Sequence, residues 1–449
     1  MALLMIMTKS EKFYLIAILI HIGIGFLFFF LPILGYVYGL AVVAFGLVFV
    51  IKTQNKNHEV LLIAAYFTGI DVYLKMIGSS ISNEFGKYMV IVFMLLGIIY
   101  RGFSKSAFLY VFFISLLLPA IFIGTQTLSF DVNIRKAIAF NMSGPVCLGI
   151  AAIYTFQRSI SFTRLMDVLK MLFLPMVAML VNLFLYTPSI KEVVINTQSN
   201  FATSGGFGPN QVSTVLGLAM FVAFVQLLFG SKSKLLQLVN ATLVVLFAFR
   251  CIVTFSRGGM LTGLILMLLL LLFVYGLGNA KVKAKIFVLA GAAVFTGLVI
   301  WGYTSIQTAG LIDKRYANEN ARGVKKSSAF SGREVLFAEE VKMFVDHPYF
   351  GVGVGRNKEV RAEETGIAAA SHNEMSRLLA EHGSLGLVAF LILLFTPVVL
   401  YVQDNKQFFA IVFMVFWLLT INHAAMRIAA PAFMYSLALL KVRFEESVA

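Results

Sequence analysis

The sequence predicts an all-α fold: a polytopic transmembrane helical bundle of about 12–14 spans with one large extramembrane loop containing short helices. Three observations carry that prediction. Of 449 residues, 60% are hydrophobic and only 13% are charged, with a mean hydropathy of +0.90, outside the range in which a soluble domain solvates its own surface. The apolar residues fall into runs of bilayer length. The basic residues fall between those runs, on alternate connections, which is the pattern that fixes orientation in a membrane.

A helix needs about 20 apolar residues to cross the hydrocarbon, and about fourteen segments approach that length. In order they are Phe13 to Leu31, Leu34 to Ile51, Val60 to Met76, Tyr88 to Tyr100, Ala107 to Ile123, Ala137 to Phe156 and Leu165 to Tyr186. The second half supplies Gln211 to Phe229, Leu235 to Phe255, Gly258 to Tyr275, Ile286 to Tyr303, Leu378 to Val402, Phe408 to Ile421 and Ala424 to Leu440. With the N-terminus in the cytoplasm, Lys52 with Lys56, Arg101 with Lys105, Arg158 with Arg164, Lys232 with Lys234, and Lys281, Lys283 and Lys285 all fall inside. The C-terminal Lys441 and Arg443 fall inside as well, which favours an even number of spans. No short apolar core followed by a small-residue cleavage site precedes the first run, so removal of a signal peptide is not expected. The formal net charge of +15 is accounted for by orientation and anionic lipid, and nucleic acid is not an expected partner. Cys147 and Cys251 lie within apolar runs and offer neither a disulfide framework nor a thiolate metal site.

Three outer connections matter: Thr187 to Asn210, the tight turn Ser256 to Gly259, and the long stretch Thr304 to Ser371. The last has the mixed composition of a folded segment. Within it, Ser331-Gly-Arg-Glu334 reads as a capping box that starts a helix, with Arg333 in its first turn. Leu336, Phe337, Val341, Phe344 and Val345 then recur at helical spacing, a stripe suited to the bilayer surface, until Pro348. A second box, Ser371-His-Asn-Glu374, opens the helix that continues into the span from Leu378 and puts His372 in its first turn.

The chemistry-bearing residues collect on that outer face. Arg257, Arg333 and Arg356 are candidates to bind a diphosphate, since guanidinium forks hold phosphate oxygens bidentately and stay charged when partly desolvated. Arg257 works against the orientation rule in a very short outer turn, and the competing reading is an arginine that snorkels to lipid phosphate. His372, beside the positive end of a helix, is a candidate general base held neutral; the competing reading is a capping-turn histidine facing headgroups. Asn210 and Gln211 at a helix entrance, Asn373, and His423 at an outer helix end are candidate contacts to sugar or acceptor. His347 reads as a turn residue, and His382 as part of the interfacial turns. Asp71 and Lys75, four apart, read as a structural pair. The glycine run Gly351-Val-Gly-Val-Gly355 reads as a flexible turn, because it lacks the preceding strand and spacing of a dinucleotide fingerprint. No carboxylate pair or His/Cys cluster with metal spacing occurs in the outer loops, so no metal ligand set and no cofactor are expected.

Three blocks of the C-terminal half resemble the O-antigen ligase and O-antigen polymerase superfamily: Phe255-Ser-Arg-Gly-Gly259; Gly332-Arg-Glu334 with Asp346-His-Pro-Tyr-Phe-Gly-Val-Gly-Val-Gly355; and His372-Asn373, nine residues, then Gly383-Ser-Leu-Gly386. The resemblance implies His372 as the catalytic histidine and Arg257 and Arg333 as pyrophosphate-binding arginines. It implies transfer of a glycan from an undecaprenyl-pyrophosphate-linked donor to an acceptor hydroxyl, inverting, without metal or nucleotide. The leading expectation is O-antigen ligation to lipid A-core in lipopolysaccharide biosynthesis, in a multi-pass protein of the bacterial inner membrane with a periplasmic site. Alternatives are a growing-glycan acceptor (a polymerase), a protein acceptor (an O-oligosaccharyltransferase), or, from a different class, a transporter or flippase of lipid-linked glycan. The corresponding divisions are 1–209, N-terminal transmembrane helices; 210–303, central transmembrane helices; 304–376, the periplasmic catalytic loop; and 377–449, C-terminal transmembrane helices.

Overall fold

The computed structural model describes residues 7–326, 328, 332–366, 369–424 and 426–444. Every apolar segment singled out above contains a helix. They are α1 (Lys9–Phe30), α2 (Leu34–Thr53), α3 (Glu59–Met76), α4 (Phe85–Arg101), α5 (Phe108–Thr127), α6 (Ile134–Thr155) and α7 (Phe162–Tyr186), then α8 (Pro209–Val225), α9 (Lys234–Val253), α10 (Arg257–Leu277) and α11 (Ala280–Gln307). The long connection after α11 folds into three short helices, α12 (Leu311–Tyr316), α13 (Arg333–Asp346) and α14 (Asn357–Thr365). The chain closes with α15 (Glu374–Gln403), α16 (Phe408–Ala424) and α17 (Ala429–Leu437). Ten helices are long and apolar enough to cross a membrane, and the protein is a multi-pass helical bundle. The other four apolar segments are shorter or carry charge: α3 holds Glu59, Asp71 and Lys75, α4 and α16 have 17 residues each, and α17 has nine, whereas a π-helical turn carries α8 on to Gly230. The all-α expectation needs one small amendment. Ser159–Ser161 and Lys441–Arg443 pair as a two-stranded parallel ribbon, because the chain end returns beside the α6–α7 connection.

Burial separates centre from periphery. The most apolar stretch of α8 is 83% buried and that of α11 only 11%, so α8 is a core helix and α11 an outer one facing lipid. Glycines let the central helices touch backbone to backbone. A Cβ at Gly217 would stand 2.1 Å from the Gly259 carbonyl oxygen, and one at Gly69 the same distance from that of Leu172. These fix α8 against α10 and α3 against α7, the small-residue packing expected where no hydrophobic force drives helices together.

Charges inside the bundle are paired and used as tethers. Asp71 and Lys75 form the expected ion pair at 2.9 Å, and the Asp71 carboxylate also accepts from the Ala429 amide at 3.0 Å. Lys87, fully buried and paired with Glu84, donates to the Met426 carbonyl at 3.2 Å. Together they pin the connection between α16 and α17 from both sides.

The glycine run is a splice rather than a flexible turn. Gly383 breaks α15 with φ 60°, freeing carbonyls of the preceding turn. Residues 351–355 thread beside that break: Val352 and Gly353 donate to the Ala380 and Glu381 carbonyls at 2.9 and 3.1 Å, and Val354 donates to Ala120 of α5 at 2.9 Å. Gly351, at φ +70°, leaves no room for a side chain, since a Cβ would lie 2.4 Å from the Glu381 backbone.

Candidate functional site

Ser256 caps α10, so Arg257 is the first residue of a span and projects from the end of the bundle that carries the long connection. The turn before it is strained: Phe255 is buried in the left-handed region at φ 58°, a conformation a bulky residue keeps only when its surroundings enforce it. The enforcement comes from α12, where Arg315 Nε donates to the Phe255 carbonyl at 3.0 Å. Ser256 Oγ donates to Asn210 Oδ1 at 2.8 Å, tying the start of α8 to the start of α10.

Arg333 is the first residue of α13, which begins where expected; Ser331 of the proposed capping box lies outside the described residues. The buried face of α13 is Glu340 and Met343, packed on α15, while Phe337 and Val345 of the apolar stripe remain exposed. Glu340 is the hub of the segment before α15. It takes Arg361 Nη2 at 2.7 Å, the Ser371 hydroxyl at 3.2 Å and the Ser376 hydroxyl, while Arg361, fully buried, also binds Glu339 and the Ala369 carbonyl. Burial raises the Glu340 carboxyl above its usual range, against the lowering effect of these partners.

The second capping box is corrected by two residues. Asn373, not Ser371, caps α15: its side chain accepts from the Met375 and Ser376 amides, so His372 precedes the cap. The ring is nevertheless held neutral, for a different reason than a helix dipole. Burial first, then the charges of Arg427, Arg333, His423 and Arg361, push its pKa down to about 4. Its Nδ1 is buried and has no hydrogen-bond partner among the described residues.

The cations meet. Arg315 is pushed down to about 10 by burial and then by the charges of Arg257 and Arg333. Arg333 is lowered by burial and by Arg257, and Lys326 by burial, Arg315 and Arg257. His423 packs its ring against Gly258 and lies 2.9 Å from the Thr214 hydroxyl, facing the same cluster. Among the described residues no carboxylate forms a salt bridge with Arg315 or Arg333. A concentration of like charge of this kind has the chemistry to attract a multivalent anion.

Arg257, Arg333, His372 and His423 are therefore brought together, and Arg356 is not. Arg356 forms ion pairs with Glu359 and Glu363 of its own helix. Asn210 and Asn373 are occupied by Ser256 and by the start of α15, while Gln211 packs against Gly208. Sequence reasoning missed Arg315 and Arg427. Arg315 sits in a charged stretch with no motif. Arg427, counted as part of a span, lies in the tethered connection before α17, donates to the Ser371 carbonyl and stacks 5.7 Å over Phe140. The only signal it gave was an arginine at the edge of an apolar run.

A family model described as O-antigen ligase matches residues 242–391, about a third of the chain. That stretch contains Arg257, Arg315, Arg333, His372 and the glycine splice, and excludes Arg427. A comparison with curated proteins finds no match. Over residues 242–391 the chain is similar to the O-antigen ligase family.

Proposed function

We propose that this protein transfers a glycan from an undecaprenyl-pyrophosphate-linked donor to an acceptor hydroxyl, most simply as an O-antigen ligase acting on lipid A-core at the periplasmic face of the inner membrane. The observation that carries the reading is the meeting of Arg257, Arg315 and Arg333 with a neutral His372 at one end of the bundle. The basic connections, Lys52 and Lys56 through Lys441 and Arg443, lie at the other end, which supports placing that end in the cytoplasm.

A donor of this class needs a place for a polyprenyl chain beside one for its diphosphate. An apolar cavity of about 470 Å3 lies between α8, α9, α10 and α11, lined by Phe224, Leu264, Leu289 and Leu298 and ending at Trp301 and Tyr316. Tyr316 adjoins Arg315, so a lipid tail in this groove delivers its headgroup to the cations. In the transfer step the acceptor oxygen attacks the anomeric carbon and gives its proton to His372. The bond from that carbon to the diphosphate breaks, and its electron pair leaves on the phosphate oxygen, where the guanidiniums hold the developing charge. A single displacement inverts the anomeric centre.

The test is reconstitution in liposomes with lipid-linked glycan. His372→Ala at normal membrane levels is expected to abolish transfer, and full retained activity removes the histidine from the reaction. Product identity then separates the acceptors: glycosylated lipid A-core for a ligase, a longer glycan for a polymerase, a glycoprotein for an oligosaccharyltransferase.

A further inference from the structure

A second cavity, of about 690 Å3, abuts the segment that carries His372. Ala370, Ser371, Glu374 and Arg427 form one wall, whereas Arg257, Arg315, Arg333 and His372 do not line it. The opposite wall comes from the first turns of α4 and α6 and from residues 355–362. Its volume is that of a site enclosing a drug-sized ligand, far larger than an inorganic anion needs.

The charges of this cavity do not balance. Its three carboxylates are each held by a cation of the protein: Glu84 by Lys87, Glu359 by Arg356, and Glu374 by Arg377. Lys136, Lys358 and Arg427 also line it, and among the described residues none of the three forms a salt bridge. Asn357, only 4% exposed, lines it too and has an amide Nδ2 without an acceptor among the described residues. An unsatisfied buried donor calls for an acceptor on a ligand. Tyr88 and Phe140 add aromatic faces of the kind on which sugar rings rest. A lipid tail would leave the cations and the amide unanswered, and a lone phosphate would leave most of the space empty.

We propose that this cavity is the subsite for the acceptor glycan and that it selects an acidic one, a saccharide bearing carboxylate or phosphate groups. The inference rests on the transferase reading above and assigns the acceptor side of the same site. Ser371 and Arg427 line the cavity and flank His372, so a glycan seated there reaches the base from the side away from the cation cluster that takes the diphosphate. Lys136 and Lys358 are exposed at the rim and supply the charge selection, which salt screens.

The test is calorimetric titration of the purified protein in detergent with two probes: a tetrasaccharide of alternating glucuronate and N-acetylglucosamine, and neutral chitotetraose. The acidic probe is expected to bind about tenfold more tightly at low salt, with the preference shrinking as salt rises. Lys136→Ala with Lys358→Ala is expected to reduce the preference to about twofold without changing thermal stability. Equal affinity for the two probes, or a double variant that keeps the preference, overturns the proposal. In the transfer assay the acidic probe should compete with the acceptor; competition with the lipid-linked donor instead assigns the cavity to the donor glycan and also overturns it. His372→Ala separates the two levels of inference. Loss of transfer with the probe preference intact supports both, no transfer by the wild type with the preference intact sinks the transferase reading alone, and wild-type transfer without any preference sinks the subsite alone.

Discussion

The most exposed consequence of the site is the pH dependence of transfer. The base in this reading is a neutral imidazole whose pKa is pushed down to about 4 by burial and by the charges of Arg427, Arg333, His423 and Arg361. The dependence of kcat/KM on pH reports the free enzyme, so its acidic limb should fall near that value rather than near the ordinary 6.5. At pH 5.5 a group titrating near 4 is about 97% neutral, whereas one titrating at 6.5 is about 9% neutral. Lowering the pH from 7.5 to 5.5 should therefore leave kcat/KM nearly unchanged, against a loss of about tenfold for an unperturbed ring. The assay is initial-rate transfer in liposomes across pH 4 to 8, with thermal stability measured in parallel. The parallel measurement matters because the depressed pKa also bears on folding. Between about 4 and 6.5 the unfolded chain binds the His372 proton more readily than the native one, so the contribution of this group to stability is fully present above 6.5 and declines as pH falls through that window. An acidic limb near 6.5 with the fold intact would refute the claim that burial and the neighbouring cations hold the ring neutral.

The other perturbations test the neighbours of that ring. Arg315→Ala should lower kcat by about 100-fold or more per folded protein, as loss of a donor to a developing oxyanion does, while Arg356→Ala stays within a few-fold of wild type in the same assay. Arg361→Ala leaves Glu340 as a buried carboxylate without its cation, and should destabilise the 357–376 region by about 3–5 kcal/mol, read as lost protection in hydrogen exchange around Ser371 to Ser376. Gly259→Val places methyl groups where a Cβ already comes 2.0 Å from the Ser213 carbonyl oxygen, so α8 and α10 must separate and Arg257 shift; transfer should fall with protein levels at or below wild type, measured by activity per folded protein. Transfer should persist in excess chelator without nucleotide, because guanidiniums supply the charge; a strict magnesium requirement would contradict this.

What could be read from the sequence follows from which physical signals are local. The apolar segments announced every helix of the bundle, because the bilayer demands length and composition from one contiguous stretch. The starts of α10, α13 and α15 were legible within two residues from Gly258 and from the boxes expected at Ser331 and Ser371, since helix starts are signalled by local residues. The error at Ser371 has a plain cause: its hydroxyl is drawn to Glu340, on a helix more than thirty residues earlier, and no local pattern reports that. Arg427 was obscured for the same reason. Its place is set by Asp71 and Lys87, whose partners lie more than three hundred residues away, so the sequence showed only charges within spans. Gly383 and Gly351 were visible as motifs, but their meaning, a break in one backbone filled by another, needed both strands in view.

The same contacts explain how a cluster this repulsive is kept together. Arg315, Arg333 and Arg427 are lowered by burial and by neighbouring cations, so the native state holds these charges closer than they favour. The opposing force comes from packing that has no role in chemistry: the glycine contact between α8 and α10 holds Arg257, the bond from Arg315 to the Phe255 carbonyl holds α12, and the buried ion pairs of α3 and α4 hold the connection bearing Arg427. In the proposed function, an anion that answers several cations removes this repulsion as it binds. The N-terminal helices outside the matched stretch are thus part of the site's construction, through Asp71 and Lys87, even though none of their own side chains belongs to the cation cluster.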